Sequence, residues 1–301
     1  MAYHAGMDQR LHDLIQLLDL ERLEVDLFRG ESRDIGSPQV FGGQVLGQAL
    51  VAATRTVDPE REVHSLHAYF LRRGDFTAPI VYQVDRSHDG GSFSNRRVVA
   101  IQHGKQIFHL SSSFQVPEPG DEHGMTMPKV APPEGLKDLE ELYAPLFDQL
   151  SPRLRAFFEH RRPFEFRPVE APNYLEPSVS EPRRHVWIRA VTRPPLDKAL
   201  QRALLAYVSD YHLLETALLP HGGTFFGHQM ASIDHALWFH GHFDVGDWFL
   251  YAFNSPNASG ARGLASGAVF TADGRHVASV AQEGLMRPNK VHSPTSAPGS
   301  A

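Results

Sequence analysis

The sequence predicts a duplicated α+β fold, an antiparallel sheet curved around a buried helix and built twice. Three observations carry this expectation. The second half repeats the first: His64-Ser65-Leu66-His67-Ala68-Tyr69-Phe70 is answered by Ile233-Asp234-His235-Ala236-Leu237-Trp238-Phe239, each apolar at alternate positions and ending in two aromatics. The spacing is sustained, since Phe70 and Phe239 are 169 residues apart, as are Tyr82 and Tyr251, and Gly104-Lys105-Gln106-Ile107 matches Gly274-Arg275-His276-Val277 at 170. Finally, 301 residues that are 42% hydrophobic can bury the core of two domains. A duplicated unit brings two homologous faces together, with a site at the seam carried by one copy, so chemistry is expected where the copies differ.

Taken in order, Leu11, Leu14, Ile15, Leu17 and Leu18 fit a helix, and Leu23 to Phe28 alternate as a strand. Gly42 to Ala53 is rich in small residues, with Val45, Leu46, Ala49, Ala52 and Ala53 at helical spacing, which suits a helix lying close against a sheet. Strands follow at 62–70, 80–87, 95–102 and 106–116, separated by Gly, Asp or Asn turn signals. From Pro117 to Pro195 the texture changes, and 14 of the 22 prolines fall there. Periodicity is clear only in short pieces such as 136–148, and Phe157, Phe158, Phe164 and Phe166 are too apolar for disorder, so the stretch reads as an ordered linker crossing between the halves. The pattern then restarts, with a strand at 184–189, a long helix over 197–218 and strands at 228–240, 247–254, 261–271 and 276–286. The expected units are 1–117, the crossing linker 118–183, 184–290 and a disordered tail 291–301.

Composition excludes several functions. No apolar run approaches 18 residues and no charged-then-apolar leader is present, so neither a membrane span nor secretion is expected. With no Cys there is no thiolate metal site and no Cys nucleophile. A net charge of −6 argues against nucleic acid as a partner. An anionic substrate would need a local arginine cluster, which Arg72-Arg73, Arg96-Arg97, Arg262 and Arg287 could supply. Asp234, His240 and His242 share a strand parity, yet no tight ligand motif accompanies them, and no metal is expected. No serine sits in a G-x-S-x-G elbow.

Asp210 stands out. Its helical neighbours Ala206, Tyr207, Leu213 and Leu214 are apolar, and the matching helix of the first half has no acid within Gly42–Ala53. A carboxylate on an apolar face needs partners or a raised pKa, and either marks a site. Ser232 and Gln282 interrupt strand-like stretches and could hold a water beside a carboxylate, although each alone is more often plain sheet surface.

These residues lie in stretches that resemble the acyl-CoA thioesterase II (TesB) family over almost the whole chain. The matching pieces include Phe41-Gly42-Gly43-Gln44, His64 to Asp75, Gly91 to Val98, Ser209-Asp210, Ser232 to His240, Ser259 to Gly263 and Gln282 to Arg287. The resemblance implies a double hotdog, two tandem hotdog domains forming a continuous antiparallel sheet packed on long helices, the second carrying the catalytic residues. It implies hydrolysis of fatty acyl-CoA to free acid and CoA without a cofactor, in a homodimer or homotetramer; a cytoplasmic location is expected from the C-terminus. The chain ends Pro-Gly-Ser-Ala, not in the peroxisomal Ser-Lys-Leu. The family's catalytic Asp, Thr or Ser, and Gln fall on Asp210, Ser232 and Gln282; many bacterial members carry Thr where Ser232 stands. Backbone amides at Gly42 and Gly43 are candidates to approach the substrate, and Arg96, Arg97 and Arg262, which follow glycine-containing turns, are candidates for CoA phosphates. Two other classes remain open at this point. A hydratase acting on enoyl-CoA would need an acid and base straddling the substrate, a role Asp234-His235 suggests although adjacent strand residues point to opposite faces, and a non-catalytic acyl-CoA binder would bind without turnover.

Overall fold

Alternating apolar residues become strands of a single sheet. A computed structural model describes residues 7–37, 39–150, 152, 155, 159–172, 177–224 and 227–289; the expected tail 291–301 and Phe157 and Phe158 lie outside the described residues. The first half contributes α1 (Gln9–Leu18), β1 (Glu21–Glu24), β2 (Leu27–Gly30), α2 (Gly42–Thr54), β3 (Glu62–Phe70), β4 (Ile80–Asp89), β5 (Phe93–Gln102) and β6 (Lys105–Gln115). After a short helix α3 (Leu139–Tyr143) and β7 (Phe164–Pro168) come β8 (Arg183–Ala190), α4 (Lys198–Ser209), β9 (His228–Ser232), β10 (Asp234–Phe239), β11 (Phe249–Ser259), β12 (Arg262–Thr271) and β13 (His276–Pro288).

The sheet has 13 strands in the order β1-β2-β4-β5-β6-β3-β10-β13-β12-β11-β8-β7, with β9 paired to β13. The order is mirrored about the central pair β3 and β10, which join antiparallel with Leu66 opposite Leu237 and Asp234 opposite Tyr69. The two halves thus meet edge to edge, which removes two exposed strand edges and makes one sheet of two. Helices α2 and α4 lie against one another beneath it, and buried residues of both helices and both half-sheets form one core. This is the double hotdog arrangement.

The repeat is visible in side-chain detail. Tyr82 and Tyr251 are both fully buried; the first donates to Gln48 Oε1 on α2 at 2.7 Å and the second to the carbonyl of Ser209 at the end of α4 at 3.0 Å. Each half ties its strand to its own helix with the same phenol.

Four sequence expectations need correction. Residues 23–28 are not one strand but a tight hairpin between β1 and β2, turned at Asp26 in the left-handed region (φ 59). The helix expected over 197–218 stops at Ser209, whose hydroxyl donates back to the Ala206 carbonyl at 2.9 Å and competes with the helical ladder. His212 then turns left-handed (φ 63), and residues 214–221 continue only as a tighter 3₁₀ segment. The strand expected over 228–240 is broken at Ile233. The stretch read as a linker also supplies β7, where Phe164, Phe166 and Pro168 alternate inward to complete the sheet edge. Ahead of β7 the chain crosses the outer sheet face, where Met127, Val130 and Leu136 pack on Trp187, Leu250 and Phe270.

Candidate active site

The break between β9 and β10 is a β-bulge. Ser232 pairs with Gly284 and Ala236 with Ala281, so Ile233, Asp234 and His235 stand opposite only Gln282 and Glu283. The extra residue is secured by local bonds: Ile233 N–H donates to the Glu283 carbonyl at 2.9 Å, and Asp234 Oδ1 accepts from Glu283 N–H at 2.6 Å. In a regular strand Ser232 and His235 would face opposite sides. The bulge turns both toward Gln282.

Gln282 is 1% exposed, and its amide nitrogen lies 2.7 Å from Asp210 Oδ1, 3.0 Å from Ser232 Oγ and 3.2 Å from His235 Nδ1. The three residues singled out in the sequence, 72 and 50 positions apart, therefore meet at one amide. In an ordinary strand His235, next to Asp234, would point away from the site; only the bulge, which leaves no sequence signal here, brings it in.

Asp210 caps the end of α4 in helical geometry (φ −83, ψ −7), and its side chain is only 5% exposed. The start of α2 faces it. Phe41, the N-cap of α2, supplies no side-chain cap, and the Gly43 N–H donates to the Asp210 carboxylate instead. The approach is close enough to require glycine: a Cβ on Gly42 would lie 2.6 Å from Asp210 Oδ2, and one on Gly43 would run into the Tyr207 carbonyl and the Phe41 ring. Burial pushes the Asp210 carboxyl up to about 7, against the opposing pull of the bonds from Gln282 and Gly43. Burial likewise pushes His235 down to about 3, so it is a neutral imidazole. A carboxyl poised near neutrality beside a hydroxyl, an amide and a helix N-terminus is suited to accept a proton from water.

The chain is 44% identical over 283 residues to "Acyl-CoA thioesterase 2" of Haemophilus influenzae, a match covering 93% of this chain and 99% of that protein. It belongs to the acyl-CoA thioesterase II family. Family models described as acyl-CoA thioesterase and acyl-CoA thioesterase N-terminal domain match residues 153–285 and 29–115 of this thioesterase. The crystal structure of acyl-CoA thioesterase II TesB2 from Mycobacterium marinum superposes with a TM-score of 0.77 at 40% identity, covering 94% of this chain and 100% of that one. A hot dog fold protein from Alicyclobacillus acidocaldarius, at 18% identity and TM-score 0.74, covers 93% of this chain and 99% of its own and shares the fold. The protein is a thioester hydrolase.

A pocket of about 200 Å³ in this thioesterase opens beside the amide cluster. Gly42 and Ser232 lie in its wall, Val40, Val45, Phe70, Ile107 and Phe108 supply its apolar side, and Arg72 and Arg73 its charged one. Not all the expected phosphate ligands are available. Arg96 is 2% exposed, and its guanidinium is committed to the Thr56 side chain and carbonyl, the His88 and Asn95 carbonyls and the Asp89 carboxylate at 2.7–3.1 Å. That is an internal anchor, and the phosphate role expected of Arg96 is withdrawn. Arg97 and Arg262 are exposed, the latter paired with Glu283 at 2.9 Å, and neither lines the pocket. Among the described residues no cluster of three or more His, Asp or Glu could hold a metal, and His240 bonds to Ser279 at 2.9 Å instead. No described helix is long and apolar enough to cross a membrane.

Proposed function

We propose that this thioesterase hydrolyses fatty acyl-CoA with Asp210 as general base and Ser232 and Gln282 as its partners. The observation that carries the reading is the Gln282 amide held between the Asp210 carboxylate and the Ser232 hydroxyl at the edge of a pocket with a partly apolar wall. A water between Asp210 and Ser232 would lose a proton to the carboxylate as its oxygen attacks the thioester carbonyl; collapse of the tetrahedral intermediate expels CoA thiolate, which recovers the proton. The acyl group leaves as the free acid, and no covalent enzyme intermediate is required. Gly43 N–H is committed to Asp210, so the amide of Gly42, first in α2 and in the pocket wall, is the candidate oxyanion donor, aided by the positive end of the helix. Of the arginines the sequence offers for an anionic substrate, Arg72 and Arg73 are better positioned to meet CoA phosphates than Arg96, Arg97 or Arg262. A hydratase loses its candidate acid, because both nitrogens of neutral His235 are engaged inside the protein. Assembly as a homodimer or homotetramer is part of the proposal and is measured by light scattering.

The test is thiol release from palmitoyl-CoA and shorter acyl-CoAs, with Asp210→Asn in parallel. Release should fall by about two orders of magnitude or more in the folded variant, the scale of a lost general base. Undiminished release would remove Asp210 from this role, and no release by the parent at any chain length would overturn the substrate class.

A further inference from the structure

His235 lies behind the proposed catalytic residues, 1% exposed, with both ring nitrogens bonded. Its tautomer follows from its neighbours. The Ser209 hydroxyl has a single proton, which it donates to the Ala206 carbonyl at 2.9 Å. Ser209 Oγ must therefore accept from His235 Nε2, 2.9 Å away, so Nε2 carries the ring proton and Nδ1 is bare. A bare Nδ1, 3.2 Å from the Gln282 amide, accepts only if the amide turns its NH₂ toward it.

The orientation of that amide matters to the chemistry. With NH₂ inward, one N–H of Gln282 donates to Asp210 and the other is shared between Ser232 Oγ and His235 Nδ1; flipped, its carbonyl would face the carboxylate oxygen at 2.7 Å. An ionised Asp210 enforces the correct orientation by itself. Once Asp210 has taken the proton from water it becomes a donor and would favour the flipped amide. His235 Nδ1 remains an acceptor throughout.

We propose that His235 is a positioning residue, a fixed acceptor that holds the Gln282 amide in its working orientation while Asp210 cycles between carboxylate and acid. Burial keeps the imidazole neutral into acid, so Nδ1 does not turn into a donor at working pH. Ser209 and the end of α4 in turn fix the ring, and the bulge at Ile233 delivers it. The inference rests on the role proposed above for Gln282 and adds the group that sets its geometry.

Two substitutions separate the ring nitrogens. His235→Asn keeps a carbonyl oxygen near the position of Nδ1 and gives up Ser209; His235→Gln reaches Ser209 and gives up Nδ1. In steady-state assays with palmitoyl-CoA, His235→Gln should lower kcat by about 10- to 100-fold with KM unchanged, and His235→Asn should retain most of it. A merely structural histidine predicts equal losses, or the reverse order, and either would overturn the proposal. In a Gln282→Ala background, His235→Gln should cost nothing further, whereas additive losses would show that His235 does not act through Gln282. If Gln282→Ala leaves kcat intact, the proposed role of Gln282 fails; if it is slow while His235→Gln matches the parent, only the present inference fails. Should the His235 variants not fold, nitrogen NMR of the parent decides: a protonated Nδ1 overturns the proposal and a bare Nδ1 supports it.

Discussion

At the residue scale, Asp210 lies between two helix ends of opposite sign. The C-terminus of α4 disfavours its charge and the N-terminus of α2 favours it, but burial outweighs both, and the carboxyl is pushed up to about 7. A carboxyl with a raised folded pKa binds more protons in the folded than in the unfolded state. Stability therefore falls as pH rises from about 3.8 to about 7, and the penalty is complete above that. Asp210→Asn should be more stable than the parent above pH 7, by on the order of a few kcal/mol, and lose this advantage below the unfolded pKa; thermal denaturation at the two extremes reads it. As the proposed base, the same carboxyl should make kcat/KM rise with pH through about 7, and a flat profile across that range would remove Asp210 from that role. His235 works in the opposite sense, since its depressed pKa gives stability that is present above about 6.5 and lost as pH falls toward about 3. Gly42→Ala places a methyl 2.6 Å from Asp210 Oδ2 and 3.1 Å from the Phe70 ring. It should fold yet lose on the order of 100-fold in kcat, the usual effect of a displaced catalytic group. Turnover within a factor of two or so of the parent would mean that the carboxylate tolerates displacement.

At the level of elements, α2 and α4 were legible for different reasons. The run of small residues from Gly42 announces a helix in close contact, and the structure puts the start of α2 against the end of α4, at Tyr207 and Asp210. The apolar run after Ser209 reads equally as helix, and what ends α4 is a serine hydroxyl turned onto its own backbone and a phenol donated from β11. The second of these is a long-range contact that local periodicity does not encode. Strand β7 was legible in principle from the alternation Phe164, Phe166, Pro168 but was hidden by the proline-rich surroundings. The bulge was not legible, because the alternation of residues 228–240 survives on either side of it. Arg96 illustrates the limit for charged residues: beside Arg97 it looks like half of a surface pair, yet strand parity turns it inward to clamp the end of α2 against β4 and β5. Arg96→Ala should destabilise the protein by about 3 kcal/mol, through stranded carbonyls and a lost buried side chain, while kcat and KM well below the melting temperature stay near those of the parent. A raised KM in a protein of unchanged stability would return Arg96 to the substrate.

At the scale of the whole molecule, the duplication read from Phe70 and Phe239 gives a sheet mirrored about its central strand pair and a site to which the halves contribute unequally. The second supplies Asp210, Ser232, His235 and Gln282; the first supplies the helix start at Gly42 and Gly43 and the wall around Phe70. Glu62 of the first half, paired with Lys198 at 2.6 Å and Arg202 at 2.5 Å, ties the start of α4 to β3. With a continuous sheet and one core, denaturation should be a single transition. Of the three tryptophans, Trp238 sits at the seam against His67 of the first half while Trp187 and Trp248 lie in the second half, so fluorescence weights the seam and the second half while far-ultraviolet circular dichroism reports on both. The two curves should coincide; separated midpoints would show halves that unfold independently. The covalent join has a kinetic corollary. Were the same two lobes separate polypeptides, Gly43 would reach Asp210 only after an encounter, and specific activity would fade at low enzyme concentration as the lobes parted. Here the connecting chain holds each lobe at a high effective concentration of the other, so the pairing of Gly43 with Asp210 is immune to dilution.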